Sequence, residues 1–308
     1  MRWLVLAAVI TLALTSSEVR KVEMRWPGWG FTHTPSSVLG RRSPEPAPGV
    51  YRFASLDHRI DFIRQAGGIP VITLCCAPDW MKGGTPGQTN WNRLTAAPLP
   101  EHYADFAALS GVIARRYPDV GHFLVWNEFK GFFDEENNRW DAEAYTDLYN
   151  EVYEAVKAVN PLNRIGGPYL DMASPPSGTT GQGSSLRGPW GTVDQGALDA
   201  FDYWLAHKRG ADFVVVDGHT TDGDDPDEFA ALEKLSAVGW WIRARTELPL
   251  WWAQWYVEPA GSRISASARP ASDARGSQQV ELACDRVDRR PGPASGPYET
   301  RWVPRIVP

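Results

Sequence analysis

One stretch of this chain holds side chains whose types and order could do acid–base chemistry. In GHFLVWNEFKGFF, residues 121–133, an apolar run ends in Asn127 and Glu128 and opens into a loop of Phe129, Phe132 and Phe133. A carboxyl placed among bulky apolar groups is desolvated, which raises its pKa toward the range a general acid needs near neutral pH. An amide beside it can donate a hydrogen bond to a hydroxyl next to a sugar's reacting carbon, a contact that tightens as an oxocarbenium-like transition state forms. In PLWWAQWY, residues 249–256, a second apolar run carries Gln254 near its end. The bland alternative for the first stretch is a surface loop with an incidental Asn–Glu pair.

Other candidates also close apolar runs: His33 in WGFTHT, Trp80 in APDWM, Asp171 after GGPYL, and Asp217 with His219 in FVVVDGHTTDG. His219 could hold a hydroxyl or a nucleophile by hydrogen bond, and His33 could contact substrate; each could equally be a structural loop histidine. Asp171 and Asp217 read as capping or turn residues at strand exits. The chain has 15 Trp among 308 residues. Indole faces stack on the C–H faces of sugar rings, so Trp80 and Trp252 are expected as stacking platforms, with core filling as the alternative.

The same inventory excludes several classes. Six histidines are spread singly, with no HExxH and no triad spacing, so no metal is expected. Gly67–Gly68 and Gly166–Gly167 lack the lysine and spacing of a phosphate loop and read as turns, so no nucleotide cofactor is expected. A net charge of -6 without a basic run argues against nucleic acid as a partner. Of the three cysteines, Cys75 and Cys76 are adjacent in an apolar run, and Cys284 stands alone. Adjacent cysteines do not easily bond to one another, so buried, inert thiols are expected.

The elements that must position these residues alternate as in an α/β protein. Strands are expected at Trp29–Thr34, Ile69–Cys75, His122–Asn127, Arg164–Leu170, Asp212–Asp217 and Leu248–Trp255. Helical spacing covers Ser55–Gln65, Glu101–Tyr117, Ala142–Val159, Asp194–Lys208 and Pro226–Thr246. The long polar loops, Asp79–Pro100, Lys130–Asp141, Ser174–Thr192 and Thr220–Asp225, follow strands rather than precede them. Barrel enzymes keep their active sites at that end of the strands. The fold class is therefore a TIM (β/α)8-type barrel, expected to be incomplete: shortened at residues 34–50 and without an evident eighth unit.

With these residues in place, the chain resembles clan A glycoside hydrolases, and most of all glycoside hydrolase family 39, the β-xylosidase-like group. The resemblance runs through YRFASLDHRIDFIRQAGGIPVITLCCAPDWM, RRYPDVGHFLVWNEFKGFF, the GGP at residues 166–168 and PLWWAQWY, and covers roughly residues 29 to 258. It implies an acid/base role for Glu128 after Asn127, a sugar contact for His219, and a nucleophile position at 254. It also implies hydrolysis of O-glycosidic bonds in a β-linked saccharide by a retaining two-carboxylate mechanism. Gln254 departs from the nucleophilic Glu, and an amide cannot form a glycosyl ester. Three readings stay open: a variant unable to turn over, replacement by Glu258, or a slipped alignment. A carbohydrate-binding barrel without turnover, or a gene fragment, is the alternative to a working enzyme.

At the amino terminus Arg2, the apolar run Trp3–Leu14 and the small residues 15–17 match a secretory signal, or an uncleaved anchor, so the chain is expected to be secreted. The expected organisation is a signal at 1–17, a barrel domain at 18–260, and a low-complexity tail at 261–308 with no strong strand, expected to be disordered.

Overall fold

The computed structural model describes residues 19–23, 43–174, 182–219, 232–256 and 280–283. His33, Glu258, the signal segment, the expected strand at 29–34 and most of the tail lie outside them. Six parallel strands form one sheet in chain order: β1 (Val19–Glu23), β2 (Ile69–Leu74), β3 (His122–Val125), β6 (Arg164–Asp171), β9 (Phe213–His219) and β10 (Leu250–Tyr256). Between them run α1 (Ala54–Gln65), α2 (Tyr103–Arg116), α3 (Ala142–Val159), α4 (Gln195–His207) and α5 (Leu232–Arg243). A strand β11 (Val280–Ala283) lies antiparallel on the far edge, against β10. Among the described residues β1 and β11 are the two edges of the sheet and do not pair, so the architecture is an incomplete α/β barrel.

Among the described residues the first strand is Val19–Glu23, paired directly with β2. One expectation is corrected here. The tail, expected to lack strands, supplies β11. Two hairpins also appear inside loops that read as irregular. One pairs β4 (Phe133–Asp134) with β5 (Arg139–Trp140), and the other pairs β7 (Gly183–Gly188) with β8 (Gly191–Asp194).

Strand phase separates two apolar layers. Ile72, Phe123, Val125, Ile165, Val214, Val216, Leu250 and Trp252 pack outward on the helices. Val71, Leu124, Tyr169, Phe213 and Val215 form the inner cluster, with Trp251 and Ala253 against it. At the amino ends of the strands the interior is floored by rings: Phe213 on Trp251 at 4.3 Å and His122 on Trp251 at 5.2 Å. The Gly166–Gly167 pair makes room on both sides. A Cβ at Gly166 would collide with the Phe213 ring, and one at Gly167 would sit 2.7 Å from Tyr149 of α3. A filled floor leaves the carboxyl ends as the open face.

At the exit of β2, Cys75 and Cys76 are joined by a disulfide, which corrects the expectation of inert thiols. The peptide between them is cis, which brings their Cα atoms to 3.1 Å. Both are buried beneath the rim.

Candidate functional site

β3 ends at Val125, and the chain then turns sharply through positions that side chains rarely accept. Trp126, Glu128 and Phe129 have φ of 66°, 53° and 52°. Left-handed backbone at bulky residues costs on the order of 1–3 kcal/mol each and persists only where the surroundings fix it. The fixing groups are visible. Tyr145 of α3 donates its hydroxyl to the Val125 carbonyl at 2.9 Å, and the Trp126 indole N–H donates to the Lys130 carbonyl at 2.6 Å. Backbone hydrogen bonds from Lys130 to Asn127 (3.1 Å) and from Phe132 to Phe129 (2.9 Å) close two successive turns. Phe129 lies under them, its ring 4.0 Å from that of Tyr145.

This construction presents Glu128 at the rim with its side chain 15% exposed. Asn127, itself buried, donates from Nδ2 to Glu128 Oε1 at 3.0 Å, and Lys130 Nζ pairs with Oε2. Asn127 and Glu128 are therefore brought together as one unit. The aromatic surroundings expected from the sequence are present, since Trp126, Phe129 and Phe132 are all buried. The ammonium of Lys130, however, was missed. Its only sequence signal is a lysine two places after Glu128, and only the left-handed turn carries it back onto the carboxylate.

Trp80 belongs to the loop after β2, the neighbour of β3, and so to the same rim. Its indole N–H donates to the Glu45 carbonyl at 3.0 Å, and its ring meets His102 edge-on at 5.3 Å. Next to it, Lys82 is buried, paired with Asp79 at 3.1 Å and donating to the Arg93 carbonyl at 2.9 Å. Burial pushes the Lys82 pKa down, and Asp79 opposes the shift. The pair pins this loop to the body of the protein. Burial also raises the pKa of Glu45, against the hydrogen bond it accepts from the Gly49 amide at 2.8 Å.

Across the sheet, the carboxyl ends of β6, β9 and β10 line up in register, with Asp171 opposite Asp217 and Asp217 opposite Gln254. A bulge at Ala253 shifts the phase of β10, so that position 254 takes the register that follows Val215 and Phe213 on the inner side of β9. His219 pairs with Tyr256 one turn of the pleat further out. Trp252 is different. It is 3% exposed, lies in the outer core, and would meet a Cβ at Gly218 at 2.7 Å, so its ring packs against the helical layer rather than facing a ligand. Among the described residues no group of three or more His, Cys, Asp or Glu could hold a metal.

The arrangement thus holds a carboxyl at the rim between an amide donor and an ammonium. Residues 24–176 match the model of glycosyl hydrolases family 39. No curated protein sequence matches the chain. Among solved structures, a monomeric beta-xylosidase from Caulobacter crescentus CB15 is 22% identical, with a TM-score of 0.46, covering 68% of this chain and 42% of that chain. The GH39 enzyme from Xanthomonas axonopodis pv. citri is 20% identical, with a TM-score of 0.44, covering 68% of this chain and 40% of that chain. This chain thus spans about two fifths of the length of both.

Proposed function

We propose that this chain, whose residues 24–176 match the model of glycosyl hydrolases family 39, acts on O-glycosidic bonds of a β-linked saccharide, with Glu128 as the proton donor. One observation carries the reading: an Asn–Glu pair held at a strand exit by left-handed backbone, on the rim where position 254 also arrives. In the first half-reaction Glu128 gives its proton to the leaving oxygen. In the second it takes a proton from water. Asn127, already oriented on Glu128, has its Oδ1 buried without a hydrogen-bond partner and is placed to meet a substrate hydroxyl.

Gln254 occupies the position of the nucleophile. An amide cannot form the glycosyl ester, so a two-step covalent route cannot run through Gln254 itself. A carbohydrate-binding barrel without turnover is the second reading, and Gln254 is the residue that favours it. Aryl β-glycosides separate the two. Hydrolysis that appears only in Gln254→Glu and disappears again in the Glu128→Gln, Gln254→Glu double variant supports the lost nucleophile. Hydrolysis by the parent that Glu128→Gln abolishes supports a working enzyme. Activity indifferent to Glu128 contradicts both. The apolar run behind Arg2 is read as an export signal, so the mature chain recovered from its host should begin near residue 18 and be found outside the cell.

A further inference from the structure

The β4–β5 hairpin has no part in the chemistry above, yet it begins five residues after Glu128. Two hydrogen-bonded turns, Asn127–Lys130 and Phe129–Phe132, fill the interval. Each turn keeps its ends within about 7 Å, so the hairpin stands about one or two sugar rings from the carboxyl. Phe133 and Trp140 face each other across the hairpin, ring centroids 5.2 Å apart and nearly perpendicular, and Trp140 rests in turn on the buried Phe129 at 6.0 Å. The outermost ring, Phe133, is 39% exposed. The hairpin is braced on both sides. Asp134 accepts from the Asn137 backbone amide at 3.1 Å and from its side chain at 2.7 Å, the Asp141 backbone N–H donates to the Phe132 carbonyl at 2.7 Å, and Arg139 pairs with Glu143 at 2.7 Å.

On the reading that Glu128 protonates the leaving oxygen, the departing part of the saccharide must lie on the Glu128 side of the bond. We propose that the Phe133–Trp140 pair is the stacking platform for that leaving-group sugar, and that it selects a neutral saccharide. A ring already fixed by its neighbours loses little freedom when a sugar face lies on it, so the platform is organised in advance. The hairpin tip adds Asp134, Glu135 and Glu136 against Arg139, an acidic rim that repels uronic acids and leaves neutral pentoses or hexoses unaffected.

Calorimetric titration of the full chain with β-1,4-xylotriose and with methyl β-D-xyloside tests this without requiring turnover. Phe133→Ala, an exposed substitution expected to leave the melt unchanged, should weaken xylotriose binding about 3- to 10-fold and leave methyl xyloside unaffected. Phe133→Tyr should restore it. Equal weakening of both probes, no change for xylotriose, or failure of Tyr to restore binding overturns the platform. If the parent binds neither probe, the glycoside reading falls together with it.

Discussion

At the scale of single residues, the site is a carboxylate held between an amide and an ammonium on a turn that glycine alone would adopt freely. One glycine does take part: Gly131 has φ of 86°, and a Cβ there would fall on the Thr95 carbonyl oxygen. Gly131→Ala should therefore destabilise the protein by roughly 1–3 kcal/mol and loosen the Glu128 turn, read as a lower thermal midpoint. Asn127 and Glu128 were legible in the sequence because their types and their place after an apolar run suffice. The Lys130 contact was not, because it depends on left-handed torsions at three bulky residues that no propensity favours. Trp252 was misjudged for another reason. In LWWAQWY nearly every position is apolar, so the sequence hides which residues face inward, and the bulge at Ala253 changes the phase before Gln254.

At the scale of elements, α3 does more than cover the sheet. Its Tyr145 caps the end of β3 through the Val125 carbonyl, and its Tyr149 occupies the space left by Gly167. Tyr145→Phe keeps the ring and removes one buried hydrogen bond. The expected cost is about 1–2 kcal/mol in chemical denaturation, with an unchanged slope on denaturant. A loss below a few tenths would mean that the turn holds without it. The long helices were legible to within a few residues, with α3 matching at both ends, because periodic apolar spacing over several turns survives any local irregularity. The two hairpins were not. Strands as short as Phe133–Asp134 show no alternation, and GSSLRG is largely polar. The vicinal disulfide at Cys75–Cys76 also escaped, because it depends on the geometry of one peptide bond that residue types do not encode.

At the scale of the whole molecule, the aromatic floor on the inner side of the sheet places a titratable group within it. Burial lowers the pKa of His122, helped by Arg164 and opposed by Asp212. A histidine whose pKa falls on folding takes up protons more readily when unfolded. Its stabilising contribution is therefore full above the unfolded value, about 6.5, and is lost as pH falls toward the folded one. The thermal midpoint should drop between pH 7 and pH 5, and His122→Phe, which keeps a ring on Trp251, should flatten that slope. A slope unchanged in the variant contradicts the assignment. The barrel class was legible from strand–helix alternation and loop placement. Its extent was not, because β1 and β11 lie in segments where pattern is weak and pairing is decided by the sheet.

The proposed function depends on positions 128 and 254 facing one sugar across the rim. The most direct measurement treats the Gln254→Glu variant with a 2-deoxy-2-fluoro aryl β-xyloside, digests it and weighs the peptides. A glycosyl ester on the peptide containing residue 254, absent from the parent chain, is the expected result. An adduct on Glu128 or Glu258, or none at all, contradicts the account.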